Sequence, residues 1–196
     1  MIRALIGNGG HAREVMAQMG QTLFRFVDDE YCQRNTDPFV LPLSEFNPDE
    51  YEVMIAVGDS NDRKKISDSL PRGTKYFTYI HPSAMVMNNC LLGKGTFIGA
   101  NCILTCDIEI GDHAILNRGV QIGHDCKIGN FFSAMPGSIV SGNVEIGDIV
   151  YLGTNSSVRE KIKICNNVLI GLNSGVVRDL KKEGTYVGLP AKIITQ

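Results

Sequence analysis

Four histidines stand in this 196-residue chain: His11, His81, His113 and His124. Imidazole, with an ordinary pKa near 6.5, is the side chain suited to accepting a proton at neutral pH. His124 sits in Ile122-Gly123-His124-Asp125-Cys126, with a carboxylate beside it. Adjacent residues on a flat strand point to opposite sides, so an imidazole–carboxylate pair here requires the chain to bend. Read from the residues alone, His124 is foremost an exposed corner histidine. His113 is expected exposed on a face, and His81, before Pro82, is expected to be structural.

His11 belongs to a second kind of chemistry. Gly7-Asn8-Gly9-Gly10-His11-Ala12 follows a short apolar stretch and opens an amphipathic one, and Asp28 lies 21 residues beyond Gly7. The loop matches a loose GxGxxA fingerprint, in which backbone N–H groups at a helix N-terminus receive phosphate and a carboxylate at the next strand end receives a hydroxyl. A structural glycine turn also fits. An NAD site needs two such halves, and about 80 residues supply one. A single nucleotide or nucleotide-sugar site fits one half-fold best. Val57-Gly58-Asp59-Ser60-Asn61-Asp62-Arg63 repeats the strand–loop–helix pattern. Ligands bind outside the carboxyl ends of parallel strands, where such loops converge. In their plainest roles Asp59 or Ser60 caps a helix, Asn61 begins it and Arg63 is solvated.

The elements that would hold these residues are legible as strands Ile2–Ile6, Phe24–Val27, Val53–Val57 and Tyr76–Ile80, with helices over about 11–19 and 61–70. Strands alternating with helices predict a small parallel α/β sheet over residues 1–80. The boundary is expected near His81-Pro82.

Beyond it the pattern changes. Every sixth residue from Val86 to Val176 is Val, Ile or Leu, except Ala134, and the next residue is glycine at half of these sixteen positions. The second residue before each aliphatic is mostly small or β-branched, among them Cys90, Cys102 and Cys126. Neither a 3.6-residue helix nor a two-residue strand alternation holds a period of six. The pattern predicts a parallel β-solenoid over 81–177, each hexapeptide a strand and a turn, three per coil of 18 residues. The sixteen repeats make just over five coils, a stack about 25 Å long at ~4.8 Å per strand. The corner glycines are expected to allow positive φ. Residues 178–196 are expected to form a C-terminal tail.

Composition removes several function classes. Net charge is −2 with no basic block, which argues against nucleic acid, and no apolar run reaches the ~20 residues of a membrane helix. Six cysteines form no CxxC pair, so zinc is disfavoured and reduced thiols in a cytoplasmic protein are expected.

Gly7-Asn8-Gly9-Gly10-His11, Asp28-Asp29, Ala56-Val57-Gly58-Asp59-Ser60-Asn61-Asp62-Arg63, His81-Pro82-Ser83-Ala84, the hexapeptide array and the closing Val187-Gly188-Leu189-Pro190-Ala191-Lys192 together resemble the PglD/NeuD-type bacterial sugar acetyltransferases of the hexapeptide-repeat superfamily. That resemblance implies a left-handed β-helix, against the usual right-handed crossover. It implies a homotrimer with acetyl-CoA between neighbouring solenoids and no metal. The implied activity is N-acetylation of the 4-amino group of a nucleotide-linked 4-amino-4,6-dideoxy sugar for surface polysaccharide or glycan synthesis. UDP is the first expectation for the nucleotide, with dTDP or GDP as alternatives. Sialic-acid-type O-acetylation and a non-catalytic nucleotide sensor or scaffold are the competing functions.

By the same resemblance Gly9, His11, Asp28, Asp29, Gly58, Asn61 and Arg63 surround the nucleotide. His124 is then the general base, with Asp125 orienting it and Asn117 helping to position the substrate. Asp125 is shorter than the glutamate of PglD-like sequences, and Ser133 stands where many relatives carry a second histidine near the thioester. Gly142, one coil after His124, is the expected oxyanion donor. Gly153 and Gly171 would border the pantetheine along the same edge, and Lys192, with Lys181 and Lys182, would meet the phosphates of CoA.

Overall fold

The computed structural model describes residues 1–194. Its backbone separates into two compact units, Met1–Thr78 and the chain from Tyr79 onward. Among the described residues no helix is long and apolar enough to cross a membrane.

The first unit contains β1 (Ile2–Ile6), α1 (Gly10–Met19), β2 (Phe24–Val27), α2 (Asp29–Gln33), β3 (Val40–Pro42), β4 (Tyr51–Ile55), α3 (Ser60–Ser69) and β5 (Lys75–Tyr76). The sheet is parallel throughout, in the order β3-β2-β1-β4-β5. The strand order reverses between β1 and β4, so the loops after these two strands flank the switch point of an open α/β sheet. Ala4, Ile6, Phe26, Val53 and Ile55 fill the core. Two elements escape the sequence reading. α2 has five residues, too few for a periodic signature, and β3 ends on Pro42, which an edge strand tolerates.

The second unit is a parallel β-helix of three sheets. Each rung pairs a residue with the one 18 positions on: Ile115 with Phe97 and Ser133, Gln121 with Ile103 and Ile139, Glu109 with Leu91 and Lys127. The repeat begins one hexapeptide earlier than the sequence suggested, because Tyr79–Ile80 pairs with Phe97–Ile98. The periodic aliphatics from Ile98 to Val176 lie inward at 0–5% exposure. Ala134, the break in their pattern, is compensated by Phe132, which is fully buried where other repeats place a small side chain. Large and small exchange places, and the core stays filled.

Two expectations about the corners are corrected. Positive φ falls not on the glycine after each aliphatic but two residues later, at Asn101, Asp107, His113, Gly119, Asp125 and their equivalents. Asn and Asp tolerate that left-handed conformation and glycine is free in it. The glycine beside the aliphatic answers to crowding instead: a Cβ at Gly153 would lie 2.6 Å from the Leu172 nitrogen of the next coil. His113, expected exposed, is 2% exposed and stacks on Phe131 one coil on, with ring centroids 5.2 Å apart. The left-handed corner turns its ring along the stack.

Residues expected to form a tail are ordered in the second unit. Gly184–Val187 joins the sheet beside Val168–Ile170, and Lys192–Ile194 returns antiparallel to it. Residues 195 and 196 of that predicted tail lie outside the described residues.

Candidate active site

In the first unit a cavity of about 440 Å³ opens at the switch point, bordered by Gly7, Gly9, Val27, Asp28, Tyr31 and Ile66. Gly7 has φ +108, and a Cβ there would crowd Val57 Cγ2 at 3.1 Å and the Ala56 carbonyl oxygen at 3.3 Å. At Gly9 and Gly58 a Cβ would meet nothing within 4 Å, so open space lies over both loops.

Asp28 faces the cavity while its Oδ1 accepts from the Tyr31 N–H at 2.9 Å, capping α2. Asp29 is exposed and committed elsewhere: its carboxylate accepts from the Ser44 N–H at 3.2 Å, and the Ser44 hydrogen bonds lower its pKa. Asn61 is exposed on the first turn of α3. Tyr31, missed because α2 was missed, accepts at its hydroxyl from Asn8 Nδ2, 3.3 Å away. The Asp28 cap was the available signal.

His11 and Arg63 differ from what the sequence led one to expect. The His11 side chain is 11% exposed, and its pKa falls to about 4, chiefly through burial, with Glu14 opposing and Arg63 reinforcing the shift. It is neutral at pH 7 and offers no positive charge to a phosphate. Arg63, expected around the nucleotide, is 1% exposed. Its Nη1 donates to the carbonyls of Val57, Gly58 and Asp59 at 2.8, 3.1 and 3.4 Å.

On the solenoid, His124 Nδ1 lies 2.7 Å from Asp125 Oδ2, with both side chains about half exposed. Asp125 has φ +57, and this left-handed corner is the bend that lets neighbours in sequence pair. With Nδ1–H donating to the carboxylate, Nε2 carries the free lone pair. The imidazole lies across Gly142: a Cβ there would be 2.6 Å from Nε2. The Gly142 N–H donates to no other described residue.

The remaining candidates are not gathered at this corner. Asn117, Gly153 and Gly171 lie on the edge that precedes the sheet of Gln121–Ile122, whereas His124 and Gly142 lie on the edge that follows it. The expectation of one shared edge therefore fails within a single chain, because 18-residue spacing aligns residues only with their own column. Asn117 is 7% exposed, and its Oδ1 accepts from the Arg118 N–H at 2.7 Å. Ser133 is fully buried on the sheet that leads into the edge of Asn117, Gly153 and Gly171, and Lys192 is exposed on the last described strand, with Lys181 and Lys182 exposed before it. Among the described residues no group of His, Cys, Asp or Glu is placed to hold a metal ion.

Residues 4–70 match the PglD N-terminal domain family. PerB from Caulobacter crescentus, solved in complex with CoA and GDP-perosamine, is 28% identical, with a TM-score of 0.87 over 100% of this chain and 98% of its own. The acetyltransferase domain of PglB from Neisseria gonorrhoeae is 26% identical, with a TM-score of 0.86 over 98% of both chains. A GDP-perosamine N-acetyltransferase of Escherichia coli O157:H7 is 25% identical over 172 residues, which span 81% of this chain and 78% of that one. These likenesses set the solenoid among the left-handed β-helices. In its first domain and in the fold of its described length, the chain is similar to the PglD-type acetyltransferases of the hexapeptide-repeat acyltransferases.

Proposed function

We propose that the protein transfers the acetyl group of acetyl-CoA to the 4-amino group of a nucleotide-linked 4-amino-4,6-dideoxy sugar. The observation that carries this reading is the His124–Asp125 pair at 2.7 Å, with its Nε2 over Gly142. Asp125 fixes the ring and stabilises the imidazolium, as a carboxylate does in a catalytic triad. Nε2 takes a proton from the amine as its nitrogen attacks the thioester carbonyl. The Gly142 N–H meets the oxyanion, the C–S bond breaks, and the imidazolium returns the proton to the departing CoA sulfur.

The relatives favour GDP over UDP as the nucleotide, since both the Escherichia coli and the Caulobacter proteins are named for or solved with GDP-perosamine. The nucleotide belongs in the switch-point cavity against Asp28. A homotrimer completes the acetyl-CoA site. The sheet face carrying Met85, Ile103, Gln121, Ile139, Ser157 and Gly175 bears no charge, although Met85 is 55% and Ile139 41% exposed. That face lies between the edge of His124 and the edge of Asn117, Gly153 and Gly171. A second copy against it would set one kind of edge near the other. Acetyl-CoA is an intracellular metabolite, so the reaction belongs in the cytoplasm.

A thiol-release assay with acetyl-CoA over GDP-, UDP- and dTDP-linked 4-amino sugars tests the reading. Turnover is expected, strongest with the GDP sugar, and His124→Ala should lower kcat at least ~100-fold with the fold intact. Acetylation of sialic acid instead, or stabilisation by nucleotide with no response to acetyl-CoA, would replace it with an O-acetyltransferase or a sensor.

A further inference from the structure

Arg63 is the largest fully buried side chain of the molecule. Burying a guanidinium is costly unless its donors are satisfied, and a well-packed apolar side chain would stabilise the same space as well or better. Burial lowers its pKa to about 10, against the opposing pull of Asp59, so the group remains a cation at neutral pH. Its Nη1 reaches the Val57, Gly58 and Asp59 carbonyls, three consecutive peptide oxygens of the loop between β4 and α3. In a trans peptide the C=O and the following N–H point in opposite directions. Drawing these carbonyls toward the guanidinium therefore turns the next N–H groups, those of Gly58, Asp59 and Ser60, to the other side. The same loop carries Gly58, over which a Cβ would find open space, and Asp59, whose carboxylate caps α3 through the Asp62 N–H at 2.9 Å.

We infer that Arg63 is a positioning residue for nucleotide-sugar binding: without touching the ligand, its guanidinium fixes the 57–60 loop in the shape that presents its peptide N–H groups to the diphosphate. The inference rests on the proposed function above for the identity of the ligand. Lysine is not equivalent, because its ammonium is a compact, strongly hydrated charge on a stem of different length, whereas the weakly hydrated guanidinium reaches the three carbonyls through Nη1. His11, neutral and close enough to Arg63 for the cation to lower its pKa, lies in the first turn of α1, just after the loop that follows β1.

The experiment compares wild type, Arg63→Lys and Arg63→Met by titration calorimetry with GDP and with UDP, by steady-state kinetics, and by thermal unfolding. Arg63→Lys keeps the charge and is expected to weaken nucleotide binding about tenfold, the scale of one lost charge-assisted hydrogen bond. It should raise the KM for the nucleotide sugar by a similar factor, with kcat and the KM for acetyl-CoA changed less than about twofold. Arg63→Met should bind more weakly still; if it does not fold, Arg63→Lys decides alone. Three results would overturn the inference: unaltered nucleotide affinity in Arg63→Lys; losses shared between the two substrates and tracking a lowered Tm; or a shallower dependence of nucleotide binding on salt in Arg63→Met, the sign of a direct phosphate contact. Wild type that binds nucleotide yet acetylates no amino sugar refutes the proposed reaction alone, since the binding arm still reads Arg63. Wild type that binds neither nucleotide refutes both.

Discussion

At the scale of single residues, the candidate chemistry depends on one hydrogen bond and one missing side chain. Gly142 lets the His124 ring lie where it does; Gly142→Ala would place a methyl 2.6 Å from Nε2. The ring must then rotate away and lose its bond to Asp125. We expect Gly142→Ala to lower kcat at least ~100-fold, comparable to loss of the base itself, with a Tm change of only a few degrees, since the corner is exposed. Kinetics and thermal unfolding on the same preparation check this. Sequence pointed to His124, Asp125 and Gly142 together through their 18-residue spacing and a family motif. It could not supply the left-handed φ of Asp125 that closes the pair. Likewise Arg63 was visible as a cation in a loop–helix motif, but that its guanidinium serves the loop rather than solvent emerges only from its burial.

At the scale of the element, the coil is set by close approach at one position and left-handed backbone at another. Gly129 represents the first: a Cβ would lie 2.7 Å from the Gly147 carbonyl carbon and 2.8 Å from the Asp148 nitrogen. Gly119 represents the second, with φ +71 and nothing nearer than 4.0 Å. Gly129→Ala should cost about 1–3 kcal/mol through forced separation of two coils. Gly119→Ala should cost only about 1 kcal/mol of backbone strain. Denaturant unfolding of both variants measures the difference, and the reverse order would refute this division of roles. The period of six was plain because each hexapeptide repeats one packing problem. α2 and β3 were hidden because a five-residue helix and a three-residue edge strand solve problems that occur once.

At the scale of the whole molecule, titration links the first unit to pH. His11 has a folded pKa of about 4 against an ordinary 6.5, so the unfolded chain binds more protons between these values and stability falls as pH drops through that window. At 1.36 kcal/mol per unit the full loss is about 3 kcal/mol, complete only below about pH 4 and absent above about pH 7. His11→Gln should flatten that part of the profile, and thermal unfolding between pH 4.5 and 7.5 would detect it; an unchanged slope would show that other groups dominate. What the sequence determined by itself is the order of the two folds, the inward register of the solenoid and the candidate base. Periodic burial and glycine loops are local patterns that survive without coordinates. Only the tertiary structure decided which columns share an edge, because three hexapeptides closing a triangle separate His124 from Asn117, Gly153 and Gly171 by a full sheet face. It also decided which polar groups are buried, since burial depends on what the rest of the chain lays over them.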